Sequence, residues 1–268
     1  MRINKSKADL DAEILKLTEE NERLKAILER HGISYEAVYE KKSPSEADES
    51  LPASIQFTTN DKISIFRRLF RGRDDVFAQR WESTKGKSGY SPACANEWKT
   101  GICYKPRVKC NECNQRQLLP LTEQVIFDHL SGKCTVGIYP LLKNDECCFL
   151  AIDFDGSDWR DDAKAFMQSC EEIDVPSALE ISRSGNGAHV WVFFSEPVLA
   201  RDARQLGSAL ISHTCDRTRH LSLNSYDRLF PNQDTMPKGG FGNLIALPLQ
   251  KQPRESGCSV FVNSDLYP

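Results

Sequence analysis

Apolar residues near the start of the chain recur in two heptad registers, Leu10, Leu17 and Leu24 in one and Ile14, Asn21 and Leu28 in the other. Leucine at d with Asn21 at an a position is the pattern of a parallel two-stranded coiled coil, in which a buried asparagine fixes register at some cost in stability. Glu20 and Lys25 then fall at g and the following e, where they can pair across a dimer. The competing reading is a surface helix packed on its own domain, because three heptads are few. The pattern predicts a coiled-coil helix over residues 1–33, with a homodimer formed through residues 10–31. Residues 34–60 read as a linker, most plainly in the run KKSPSEADESL, which has no apolar period. The folded domain is expected over residues 61–268.

Inside that domain Ile63, Phe66, Leu69 and Phe70 sit at helical spacing, with Arg67, Arg68, Arg71 and Arg73 on the other faces or in the following turn. That predicts an amphipathic helix with a basic face. Beyond residue 134 strands and helices alternate. Residues 135–140 and 147–155 read as strands, the second mostly buried and ending in two carboxylates, and 159–172 reads as a helix. Residues 178–181 and 189–194 are strands flanking a glycine-containing turn, a second helix falls around 201–215, and 243–247 is a last apolar strand. The expected fold class is α+β with an α/β-like core, and no internal repeat is present.

Composition changes this picture little. A chain of 268 residues with 40% hydrophobic, 27% charged and 9% aromatic positions is not disordered throughout. No run approaches the roughly 18 apolar residues of a membrane span, and the N-terminal residues are charged where a secretory signal needs an apolar core. A cytoplasmic protein with no membrane partner is therefore expected. Charge changes the picture more. The net value of -3 conceals a segregation: residues 62–117 carry 13 Lys/Arg against 5 Asp/Glu, while residues 118–268 carry 13 against 20. A basic segment suited to a polyanion precedes an acidic one, whose plain reading is solvated surface.

Ten cysteines in a cytoplasmic chain do not form a disulfide framework, because that compartment keeps thiols reduced. Four of them, Cys94, Cys103, Cys110 and Cys113, fall within twenty residues, the last pair as CxxC. The stretch is short of apolar residues, so four thiolates around a structural Zn²⁺ would hold it together, forming a zinc-binding module over 94–113. Incidental free cysteines are the competing reading. Lys85, Lys87, Lys99, Lys105, Arg107, Lys109 and Arg116 surround the cluster, interleaved with Tyr90, Trp98 and Tyr104. Cations with stacking aromatics on such a knuckle make a plausible grip on single-stranded nucleic acid. Arg71, Arg73, Lys105, Arg107 and Lys109 are the candidate contacts.

Three further constellations carry chemistry. Asp153 and Asp155 stand at i and i+2 at the end of a buried strand, so both carboxylates point to one side. Two buried carboxylates are costly unless a cation neutralises them, which favours a divalent metal; capping of the next helix by Asp155 or Asp158 is the alternative. Ser182-Arg183-Ser184-Gly185-Asn186-Gly187-Ala188-His189 leads into the next strand, its glycines allowing close approach and its polar residues offering donors to phosphate oxygens. Tyr226-Asp227-Arg228, then Lys238-Gly239-Gly240-Phe241, could complete a metal and nucleotide site; alone it reads as a polar loop.

In this order the segments resemble the archaeo-eukaryotic primase superfamily. The runs LFRGRDDVFAQRW, GYSPACANEW, CNEC, GIYPLL, LAIDFDG, RSGNGAHVWVFF and SYDRLFPNQDTMPKGGFGNLIALPLQ extend the likeness to the primase-polymerase domain of bacterial TOTE-type conflict systems, over roughly residues 60–265. The resemblance implies a primase/polymerase that transfers a nucleotide from NTP or dNTP to a 3′-hydroxyl on single-stranded DNA template and primer, with primer-independent initiation left open. It assigns Asp153, Asp155 and Asp227 as catalytic carboxylates holding two Mg²⁺ or Mn²⁺ ions, and His189 to the incoming triphosphate. Arg183, Ser184, Asn186, Gly187 and Lys238 join His189 as nucleotide-binding candidates. The family's middle motif is often Ser-x-His, and here Gly187 stands two before His189, with Ser184 further back. A helicase or nuclease partner is implied as well. Two other readings compete: a haloacid-dehalogenase-like phosphatase, from LAIDFDG, and a non-catalytic zinc-stapled nucleic-acid-binding adaptor.

Overall fold

The computed structural model describes residues 57–218 and 223–268, with Lys16, Thr18, Glu22, Arg23, Lys25 and Arg30 as helical, exposed positions near the N-terminus. The coiled-coil positions Leu10, Ile14, Leu17, Asn21, Leu24 and Leu28 lie outside the described residues. The chain divides into two units, Met1–Ile55 and Gln56–Pro268.

In the second unit the basic-faced helix is α1 (Thr59–Leu69), started by a capping box in which Thr58 and Asp61 satisfy each other's backbone N–H groups. A hairpin of β1 (Ala78–Glu82) and β2 (Ser88–Pro92) follows, then α2 (Glu123–Leu130) and β3 (Val136–Ile138). The remaining elements are β4 (Glu146–Asp155), α3 (Trp159–Glu172), β5 (Ala178–Ile181), β6 (Gly187–Leu199), α4 (Ala200–Arg217), β7 (Tyr226–Phe230), β8 (Ile245–Ala246), α5 (Lys251–Glu255) and β9 (Val260–Val262).

Two sheets result, ordered β2-β1-β3-β8 and β7-β4-β6-β5-β9. Every strand pair among the described residues is antiparallel, so the α/β-like core expected from the alternation of helices and strands is instead antiparallel α+β. The run in β4 is continuously apolar because both faces of the strand are covered, a property usually met in parallel sheets. Phe149 and Ala151 face a core shared with Phe66, Ile126, Ile138 and Ile245 from α1, α2 and the smaller sheet. Leu150, Ile152 and Phe154 face the opposite core, against Trp159 and Phe166 of α3 and Leu210 of α4. By alternation Asp153 belongs to the first face, between the sheets, at the end of β4 where that core opens to solvent.

His129 links three segments of this frame. Fully buried, its ring accepts the Val136 N–H at Nδ1 (3.1 Å) and lies 2.9 Å from the Pro248 carbonyl at Nε2. Burial drives its pKa down to about 4, so it stays neutral.

Candidate active site

One row of cross-strand partners crosses four strands: Glu180 on β5, His189 on β6, Asp153 on β4 and Arg228 on β7. Partners directly opposite in a sheet project to the same face, so the row brings its side chains together. His189 Nδ1 lies 3.0 Å from Glu180 Oε2, and Nε2 lies 3.5 Å from Asp153 Oδ1. The same Glu180 oxygen accepts the Trp191 indole N–H at 2.9 Å. Glu180 is 2% exposed, so this carboxylate is held in the sheet by its two nitrogen partners.

Asp227 enters through an irregularity. Asp153 pairs with Arg228 and Phe154 with Tyr226, leaving Asp227 as the extra residue of a β-bulge, a device that re-aims a side chain. Its carboxylate is bound by Arg228 at 2.6 Å. Burial raises the Asp153 pKa; the nearby His189 opposes that shift, Asp227 and Asp155 add to it, and Arg228 opposes it. Burial also pulls His189 down, but Glu180 above all, with Asp153 and Asp155, holds the net shift upward. The three acidic residues therefore form one electrostatic cluster, and Arg228 supplies part of the positive charge that such crowding requires.

A network from α3 holds this strand end. Buried Asp162 accepts both the Ser225 backbone N–H (3.1 Å) and its hydroxyl (2.6 Å), and the Ser225 carbonyl accepts the Asp155 N–H at 2.7 Å. One carboxylate thus fixes the chain entering β7 against the exit of β4.

The turn before β6 departs from Ser-x-His for a steric reason. Gly187 is the cross-strand partner of Asp155, and a Cβ there would stand 2.5 Å from the Phe154 carbonyl oxygen and 3.2 Å from Asp155 Oδ1. A serine at this position would strike backbone. Ser184 instead turns its hydroxyl inward, accepting the Asn186 N–H at 3.2 Å and lying 3.1 Å from the Ser182 hydroxyl. Arg183 is half-buried, and its Nε is among the described buried atoms without a hydrogen-bond partner.

Other candidates lie elsewhere. Lys238 lines a separate cavity of about 460 Å³ with Asn111, Tyr139 and Phe241, whose walls hold neither the carboxylates nor the His189 turn. Arg73, offered as a nucleic-acid contact, is buried and gripped by both oxygens of Asp75 at 2.6 and 2.8 Å. Arg71 donates to Cys148 Sγ at 2.9 Å. Arg107 and Lys109 are exposed, and Lys105 pairs with Glu97 at 2.7 Å.

Cys94, Cys103, Cys110 and Cys113 all line one cavity of about 20 Å³. A space of that size holds about one atom-sized guest. Cys94 Sγ accepts backbone N–H groups from Asn96 and Gln117 at 3.4 and 3.3 Å. Four cysteine sulfurs are the donor type that a structural zinc ion takes. Among the described residues no three His, Cys, Asp or Glu side chains already stand at metal-holding distance, in this module or among the carboxylates.

Sequence reasoning missed Glu180 and Asp162 as parts of the site, and named Arg228 only within the constellation of Asp227. The available signal for Glu180 was a carboxylate inside the apolar strand ALEI; the β5–β6 pairing sets it directly opposite His189.

Acidic residues clustered at the ends of adjacent strands, with a histidine beside them, suit the class of enzymes that transfer phosphoryl or nucleotidyl groups. Residues 61–268 match the family described as TOTE conflict system, archaeo-eukaryotic primase domain, and the chain belongs to that family. Its family supports an activity of primase/polymerase nucleotidyltransferase type, and membership displaces the phosphatase reading of LAIDFDG. Among solved structures, the polymerase domain of Mycobacterium tuberculosis ligase D in complex with DNA aligns at 12% identity and a TM-score of 0.46, covering 78% of this chain and 82% of that one. No curated protein matches the chain. No helix among the described residues is long and apolar enough to cross a membrane.

Proposed function

We propose that the domain performs template-directed nucleotidyl transfer, joining an NTP or dNTP to a 3′-hydroxyl on single-stranded DNA template, with or without a primer. The observation that carries this reading is the convergence of Asp153, Asp155 and the bulged Asp227 beside His189. These carboxylates would hold two divalent ions, Mg²⁺ or Mn²⁺, which when bound lower the pKa of the attacking hydroxyl and offset charge on the triphosphate. The upward shift of the Asp153 pKa, set first by burial and added to by Asp227 and Asp155, supports this role, since a cation relieves it.

The remaining work falls to the chain. Glu180 holds His189 by Nδ1, so Nε2 faces the reacting end of the row and can donate to a phosphate oxygen. Arg183, with its unpartnered Nε, and the turn residues Ser184 and Asn186 supply further donors to the β- and γ-phosphates. Gly187 leaves room for the Asp155 carboxylate beside the backbone. Zn²⁺ on Cys94, Cys103, Cys110 and Cys113 would be structural, stapling a stretch that cannot bury a core of its own. A helicase or nuclease acting on the same DNA is the partner that the family resemblance implies, and residues 10–31 are the proposed source of a homodimer.

Labelled-nucleotide incorporation on single-stranded DNA, with and without a primer and in Mg²⁺ or Mn²⁺, tests the reading. Wild-type protein should give product, and the Asp153→Ala plus Asp155→Ala protein should give background. Product that persists in the double variant removes these residues from catalysis. DNA binding without product under every condition favours the adaptor instead.

A further inference from the structure

The largest cavity lined by the smaller sheet and the cysteine module lies outside the carboxylate site. It measures about 790 Å³, and Trp81, Tyr90, Trp98, Phe241, Lys105 and Lys109 are among its walls. Such a concentration of aromatic side chains on a surface is unusual: Trp98 is 67% exposed and Trp81 45%. Neither is placed casually. Trp81 lies across the hairpin over Gly89, its cross-strand partner, where a Cβ would stand 2.9 Å from the indole. Trp98 has a φ of 59°, the left-handed region that bulky residues avoid, so its loop holds backbone strain while displaying the ring.

The charges of the cavity are largely matched. Glu82 is paired by Arg80 and Glu97 by Lys105, whose ammonium also lies 5.8 Å from the Trp98 ring centre, and Lys109 is exposed. A wall of aromatic faces with few surplus cations grips bases better than it grips a phosphate backbone alone. The cavity also continues. Phe241 and Asn111 line both this groove and the neighbouring cavity of Lys238. At another wall, Tyr90 is within electrostatic reach of Arg183 and Glu180, residues of the carboxylate site.

We infer that this groove is a binding site for unpaired nucleobases of single-stranded DNA, with Trp98 and Trp81 as stacking platforms and Lys109 and Lys238 as phosphate contacts. The inference rests on the nucleotidyl-transfer reading for its choice of DNA, and it assigns the groove to holding template beside the active site. Duplex DNA is excluded by chemistry, because paired bases have no free faces to stack.

The test is fluorescence anisotropy of a labelled 12-nucleotide oligo-dT on the full chain, with blunt duplex and dTTP as competitors. Trp98→Ala should weaken oligo-dT binding about tenfold, as expected for loss of one stacked base. Trp98→Phe should restore most of it, and Trp81→Ala with Trp98→Ala should fall further. Trp98 is mostly exposed, so an unchanged melting temperature should accompany its loss of binding. Binding by Trp98→Ala within twofold of wild type overturns the site, as does competition by dTTP or duplex as strong as by unlabelled oligo-dT. The two readings separate cleanly: tryptophan-dependent binding in a protein that makes no product sinks the polymerase reading and leaves the groove, while template-directed product with tryptophan-independent binding does the reverse.

Discussion

Glu180→Gln isolates the charge of one buried residue from its shape. Both nitrogen partners of Glu180 use the same oxygen, Oε2, at 3.0 Å from His189 and 2.9 Å from Trp191. A glutamine with its carbonyl at that position keeps both hydrogen bonds and removes only the negative charge. A hydrogen bond to a charged group contributes about 1.5–3 kcal/mol and a neutral one about 0.5–1.5 kcal/mol, so the variant should lose about 1.4 kcal/mol of hold on an imidazolium. If His189 must be protonated and aimed at the triphosphate, that is about a tenfold fall in kcat. The melting temperature of Glu180→Gln should fall only modestly, because His189 can give up its proton once the buried carboxylate that favours the imidazolium is gone. Glu180→Ala, in contrast, leaves the buried Trp191 N–H unpaired beside a cavity, for about 3 kcal/mol and a fall in melting temperature of roughly 6–12 °C. Single-nucleotide incorporation beside thermal melts of both variants is the assay. Unchanged kcat in Glu180→Gln, or a loss that merely follows its melting temperature, refutes the positioning role.

Three further outcomes follow from the same geometry. Gly187→Ala should abolish incorporation and lower the melting temperature, because its Cβ meets the Phe154 carbonyl at 2.5 Å; a fully active variant would show that the approach of β6 to Asp155 is not needed. Folded His129 titrates near 4 and the unfolded residue near 6.5, so as pH falls through that window the unfolded chain takes up the proton first and the native state loses about 3 kcal/mol. Stability curves of wild type and His129→Gln should therefore converge between pH 6.5 and 4, and a gap constant with pH would contradict this. Metal analysis of purified protein should give about one Zn per chain, with a chelator lowering the melting temperature; a value near zero removes the proposed knuckle.

What the sequence made legible was what the chain determines locally. The helix expected over 159–172 coincides with α3, and the strand expected over 178–181 coincides with β5. The run through 147–155 marked β4, but its unbroken hydrophobicity said only that both faces are covered and not which way its neighbours run. Segments whose identity comes from their partners were hidden. β7 reads as a polar loop because Tyr226, Asp227 and Arg228 are polar, and it is a strand because β4 offers it a ladder. The β1–β2 hairpin carries little alternation because much of it is exposed.

The site divides the same way. Asp153, Asp155 and His189 stood out through residue type and spacing, whereas Glu180 gains its meaning only when the β5–β6 pairing sets it opposite His189. Arg73 shows the converse. Its place beside a basic helix suggested a nucleic-acid contact, and its neighbour Asp75 takes two of its three guanidinium nitrogens while the third reaches Met236 Sδ. Asp162 was legible as a helix residue and not as the anchor of Ser225, because that bond spans 63 positions of chain.

The central claim is that the Asp153, Asp155 and Asp227 cluster joins nucleotides under the direction of a template. Its most direct test offers each labelled nucleotide singly to the protein on each of the homopolymer DNA templates. The account predicts that label enters only as the complement of the template, and that Asp227→Ala abolishes it. Label that ignores the template, or complementary label that survives Asp227→Ala, contradicts the claim.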